Sequence, residues 1–150
     1  MSAGSQIVAI DAYDPTTFNA ALGPDFCRNV TFAALGQAMT LSDPFSQAAA
    51  GTPNPGWNFP PDAVSVVRRI PVSVVDQGGE AHTFTEVQKF VGGFIPGLNN
   101  GQDTVPECAN GFANPKAAIT RVLQGSQLQI TGLSRGTHYF QCCIHPLMHT

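Results

Sequence analysis

The chain has 150 residues, 43% hydrophobic and only 11% charged, with a formal charge of -3, 15 glycines and 12 prolines. Its largest basic cluster is Arg68-Arg69, so it carries no electrostatic footprint for nucleic acid. No apolar run approaches the ~20 residues of a membrane helix, the opening MSAGSQIVAID lacks the basic and apolar regions of a secretory signal, and the length fits a single domain.

In chain order, the first helix signal is Asp14-Pro15 followed by TTFNAALG. It offers an N-cap residue, a proline at the first helical position, apolar Phe18, Ala21 and Leu22, and Gly23 as a stop. Phe32, Leu35 and Met39 repeat at helical spacing and predict a second short helix. Residues 47–61, QAAAGTPNPGWNFPP, form a turn-rich loop anchored by Trp57 and Phe59. From Ala63 the period becomes two: Val64 and Val66, then Ile70, Val72 and Val74, read as half-buried strands, with Gln77-Gly78-Gly79 as a turn. His82, Thr83, Phe84 and Thr85 continue as a strand. Residues 91–115 are too rich in Gly, Asn and Pro for a regular element, and a surface loop of that length in a compact domain is often functional. Ile119, Arg121 and Leu123, then Leu128 and Ile130, then residues 137–142 complete the alternating runs. Short strands between turns predict a mainly β protein, an antiparallel sandwich or barrel. The expected division is one domain over 1–150, with 1–56 an extension bearing short helices and 57–150 the β core.

The last ten residues, QCCIHPLMHT, hold two of the 4 cysteines and two of the 4 histidines. Successive side chains of a strand point to opposite faces, so Cys142 and Cys143 cannot serve one ion while the strand stays regular. Cys142 shares a face with Phe140 and His138, and a turn after the strand brings His145 and Met148 around the same point. One thiolate, one imidazole and one thioether need only a second imidazole to complete the Cys plus two His set, with a weak axial Met, of blue-copper electron-transfer sites. His82, within AHTFTEV, is the candidate for it. Zinc on Cys142, Cys143, His145 and His149 competes, but the opposed cysteines and the missing two-residue spacing between them count against it. His149 is expected at the solvent, and His138 packed or hydrogen-bonded inside.

On the run Gly136-x-His138-x-Phe140-x-Cys142-x-x-His145-x-x-Met148, with His82 upstream, the chain resembles the cupredoxins, the small blue copper proteins of plastocyanin and amicyanin type. The likeness covers roughly residues 57–150, and Pro146 directly after the histidine looks most like the amicyanin form. The resemblance implies a Greek-key β-sandwich and one copper per chain, bound by His82, Cys142, His145 and Met148. It implies no substrate chemistry, but a soluble one-electron carrier whose redox partners dock on an apolar patch around His145, Pro146 and Leu147, which Phe94, Ile95 and Pro96 could extend. A copper-binding protein of trafficking or resistance, without redox cycling, is the alternative.

Further expectations follow for the second coordination layer and the ends of the chain. Backbone N–H groups near His82 and Thr83 are expected to hydrogen-bond the Cys142 sulfur. His138 stands where the family usually has an aromatic, and the chain stops two residues after Met148, where these domains run on into another strand; an edge left open there would invite pairing with a second chain. The N-terminal part, residues 7–55, resembles the helical leader of a bacterial cupredoxin-like subgroup. A disulfide between Cys27 and Cys108 is expected, closing a loop of about 80 residues, with Cys143 left as a buried free thiol. A disulfide beside a metal thiolate implies an oxidising compartment, periplasmic or extracellular.

Overall fold

The computed structural model describes residues 5–11, 20, 57–78 and 80–150. Of the two expected helices only Ala20 falls among them, and it is helical; the rest of both helices, and Cys27, lie outside the described residues. In chain order the strands are β1 (Gln6–Asp11), β2 (Trp57–Asn58), β3 (Val72–Asp76), β4 (His82–Thr83), β5 (Thr85–Val87), β6 (Arg121–Val122), β7 (Gln127–Ile130) and β8 (Tyr139–Gln141), with one helix, α1 (Pro115–Ile119), before β6.

Two strands with the same pattern organise the core. β1 reads QIVAID and β3 reads VSVVD, and they pair in parallel, with Ile7 beside Val74 and Ala9 beside Asp76. A period of two puts Ile7, Ala9 and Asp11 of one strand and Val72, Val74 and Asp76 of the other on one face, and all six are buried. Each strand therefore delivers an aspartate to the same end of the interior. β2 and β7 flank this pair antiparallel, giving the order β2-β1-β3-β7, while β4 pairs with β6 and β5 with β8. The main core joins Ile7, Val72, Val74, Trp57 and Phe59 to Phe84, Val122, Phe140, Cys142 and Met148 from the smaller sheets. The architecture is mainly β, as expected, built from small sheets that do not close on themselves.

Several local expectations fail for identifiable reasons. β1 lies in the stretch expected to be an extension, yet it is an inner strand of the largest sheet. It is buried on both faces for much of its length, so it shows no alternation to read. Residues 63–70 form no strand: Arg69 turns the chain at φ 72°, and Val67 is left 73% exposed. Around β6 the alternation has the opposite phase. Val122 is buried while Ile119 and Leu123 face solvent, because Ile119 closes a helix begun by Pro115 and capped by Asn114, whose Oδ1 accepts the Lys116 N–H at 3.0 Å. The run His82 to Thr85 is split at Phe84, whose N–H donates to Thr120 O at 2.9 Å as the chain passes from partner β6 to partner β8.

The 91–115 loop is packed rather than loose. It holds three 3-10 turns, and beneath it lies a second core of Val87, Val105, Cys108, Ala117 and Cys143. The disulfide here joins Cys108 to Cys143, which corrects both cysteine expectations: Cys108 is not bonded to Cys27, and Cys143 is not free. Beyond β8 the chain folds back on itself, Cys142 N–H donating to Met148 O and Phe140 exchanging both bonds with Thr150, all at 2.9 Å. Residues 148–150 thus lie antiparallel to residues 140–142, with Gln141 bridged to His149.

Candidate metal centre

β4 and the end of β8 bring three donors to one point. Cys142 Sγ stands 3.8 Å from His82 Nδ1 and 3.8 Å from His145 Nδ1, and the two nitrogens are 3.3 Å apart. An ion about 2.0 Å from each imidazole nitrogen and about 2.3 Å from a thiolate sulfur, in a trigonal arrangement, would hold S and N about 3.7 Å apart and N and N about 3.5 Å apart. The spacing fits, so the group His82, Cys142 and His145 could hold a metal ion. All three side chains are buried, and Cys142 is the free thiol of the described residues.

The chain fixes these donors through its backbone. Thr83 N–H and His145 N–H both donate to Cys142 Sγ at 3.4 Å, the first as the sequence led us to expect. Thr83 Oγ1 accepts the Cys143 N–H at 2.7 Å and locks β4 against the ligand strand. Met148 N–H donates to His145 O at 2.9 Å, closing the 142–148 loop, and Met148 is fully buried in the same core cluster as Cys142. Trp57 and Phe59 wall the site edge-on, with ring centroids 4.7 Å from His145 and 6.3 Å from His82 respectively.

The outer nitrogen of each imidazole meets a carboxylate. His82 Nε2 lies 2.5 Å from Asp11 Oδ2, both side chains fully buried, and His145 Nε2 lies 3.0 Å from Glu80 Oε2. A carboxylate only accepts, so Nε2 carries the hydrogen in both rings and Nδ1 is turned to the sulfur. The turn after β3 makes this possible. Gly78 donates to Asp76 Oδ1 at 2.8 Å and Glu80 N–H to Asp11 Oδ2 at 3.0 Å. A Cβ on Gly78 would collide with the Asp11 carboxylate, so glycine is what lets the chain pass close enough.

Burial is the largest single influence on all three donors and opposes their charged forms. For His82 the hydrogen bonds to Asp11 and Cys142 outweigh it and hold the pKa well above the ordinary value. For His145 the bonds to Cys142 and Glu80 raise the pKa above its ordinary value, and for Cys142 the two imidazoles push the thiol well below its usual range. Thiolate and imidazolium are thus favoured together, and a metal entering here must displace protons from the atoms it binds.

Of the four residues expected as ligands, the structure converges His82, Cys142 and His145, and sets Met148 in the core beside them. His138 is elsewhere, held by Glu86 at 2.5 Å and Ser134 O at 3.0 Å. His149 is half-buried, stacked on Phe90 at 4.2 Å, rather than at the solvent. The competing zinc quartet fails because Cys143 is in the disulfide. Sequence reasoning missed Asp11, Glu80 and the ring wall of Trp57. Asp11 gave no signal, because β1 is buried on both faces near its end and shows no alternation, and Glu80, in a turn, had none either. No protein-family model matches the chain, and no curated protein or solved structure matches it.

Proposed function

We propose that this protein is a type 1 copper protein with a cupredoxin-like Greek-key sandwich, acting as a soluble one-electron carrier rather than an enzyme. The observation that carries the reading is the convergence of one buried thiolate and two imidazole Nδ1 atoms, delivered by β4 and by the loop after β8, on a single point. Copper bound there would exchange one electron by passing between its two oxidation states. Cys142 would supply the thiolate, His82 and His145 two imidazole nitrogens, and Met148 a weak thioether donor. The two N–H bonds to the sulfur and the locked loop hold these donors still, so that little moves when the charge changes. A Cys plus two His set with a thioether nearby is the donor set of blue-copper sites, which is why copper is preferred to zinc in this reading.

Burial of the donors supports an electron carrier over a trafficking protein, which needs an open face from which to hand its metal on. Of the expected docking patch, His145 and Pro146 are buried and Leu147 is half-buried, so redox partners would approach over Leu147. The buried disulfide supports a periplasmic or extracellular setting. Voltammetry of the copper-loaded protein in the presence of a competing chelator tests the choice. Reversible one-electron reduction with copper retained is expected; copper lost to the chelator on reduction would replace the carrier by a trafficking protein.

A further inference from the structure

A metal ligand is shaped by whatever its far side touches. In a neutral imidazole one nitrogen carries hydrogen and the other a lone pair, so a carboxylate on Nε2 fixes the tautomer, aims Nδ1 and makes it more basic. Both candidate ligand histidines here are backed in this way, His82 by Asp11 and His145 by Glu80, at 2.5 and 3.0 Å. The two carboxylates reach the site by different routes. Asp11 is fixed in the interior at the end of β1, fully buried. Glu80 arrives from the turn after β3, its side chain 15% exposed, and covers the outer edge of the His145 ring.

With the Cys142 thiolate, Asp11 and Glu80 put three negative charges around one cation. Each stabilises a doubly charged ion more than a singly charged one, in an interior where such charges are weakly screened. The N–H bonds to the sulfur act the other way, by drawing charge off the thiolate.

From this arrangement we infer that Glu80 and Asp11 are positioning residues that bias the centre toward a divalent ion over a monovalent one, and so toward the oxidised state of a copper couple. The inference rests on the metal-site reading above but not on the metal being copper. Glu80 is its more testable half, because Glu80→Gln keeps a carbonyl that can accept the Nε2–H and removes only the charge, whereas Glu80→Ala removes both.

The experiment measures affinities for Zn(II), Cu(II) and, anaerobically, Cu(I) by competition with chelators of known strength, in the full chain and in Glu80→Gln, Glu80→Ala and Asp11→Asn. Loss of an outer-layer partner typically costs roughly 10- to 100-fold in affinity. Glu80→Gln should lose about tenfold for both divalent ions, Glu80→Ala more, and Cu(I) should weaken less than Cu(II). A tenfold difference between the two copper states is a rise in potential of about 59 mV for one electron, a change that a merely structural contact would not produce. Unchanged Zn(II) affinity in Glu80→Gln, or equal losses for Cu(I) and Cu(II), would overturn the inference. If Asp11→Asn fails to fold, the less buried turn position still decides through the Glu80 variants. A wild type that binds Zn(II) in a Glu80-dependent way but gives no copper-thiolate band would keep this inference and sink the copper reading; a normal band with indifferent Glu80 variants would do the reverse.

Discussion

Cys142 and Cys143 are neighbours in sequence and belong to different chemistries. On one side of the strand Phe140 and Cys142 join the main core, where Cys142 stays a free thiol between two imidazoles. On the other, Gln141 and Cys143 bind the 91–115 loop: Gln141 exchanges side-chain bonds with Val91 N–H and Val91 O at 3.2 Å, and Cys143 is bonded to Cys108. Phe94 N–H donates to Cys143 O at 2.6 Å, and a Cβ on Gly93 would strike that carbonyl. Just past the end of β8 at Gln141, the chain still sends consecutive side chains to opposite sides and so separates the thiol from the disulfide sulfur. The disulfide side braces the ligand strand, and the thiol side uses that rigidity.

The comparison breaks most completely at Cys142. Cys142→Ser removes the sole thiolate of the described site and should abolish tight metal binding in a chelator competition, while the metal-free fold survives. The double variant Cys108→Ser, Cys143→Ser should do the opposite. Their separation of 35 residues corresponds in the chain-entropy treatment to a loss of about 4 kcal/mol, visible in urea unfolding, with the metal site still able to form.

A smaller effect is expected at Asp76, on the buried face that β1 and β3 share. Its pKa is raised from 3.8 to about 6, burial outweighing the nearby His82 charge and the Gly78 hydrogen bond, and its Oδ2 has no hydrogen-bond partner among the described residues. The folded state keeps this proton to higher pH than the unfolded chain does, so the metal-free protein loses stability as pH rises through that window, by about 3 kcal/mol in all. Asp76→Asn retains an Oδ1 acceptor for Gly78 and should flatten that slope, adding about 1 to 3 kcal/mol at pH 7 in unfolding titrations of the metal-free protein. The smallest effect is at the exposed His138–Glu86 pair. Glu86 raises the His138 pKa, so the pair stabilises below the ordinary histidine pKa and that contribution fades as pH rises through the raised value. An NMR titration of His138 in Glu86→Gln should show the pKa return toward normal.

The site was more legible than the fold around it. Cys142 and His145 could be picked out together because strand alternation and three-residue steps are local geometry, whereas His82, which the structure brings to the same point, was named only as the second imidazole that a Cys, His and Met set lacked. The mainly β class followed from period-two runs, of which Val72–Asp76 formed as expected. Where the reading failed, a partner outside the window decided the outcome: the helix before β6 reversed a phase, β1 paired on both sides and showed no alternation, and Cys143 found Cys108 because the 91–115 loop folds under its strand. Asp11 and Glu80 meet the histidines across 71 and 65 residues of chain, a distance over which a single sequence carries no pairing signal.

The measurement that bears most directly on the account is a visible absorption and EPR titration of the metal-free protein with Cu(II), run beside Cys142→Ser and the Cys108→Ser, Cys143→Ser double variant. An intense thiolate-to-copper band that saturates at one equivalent, vanishes in Cys142→Ser and persists in the double variant is the predicted result. No such band in the wild type, or its survival in Cys142→Ser, would contradict the assignment of a type 1 copper centre to His82, Cys142 and His145.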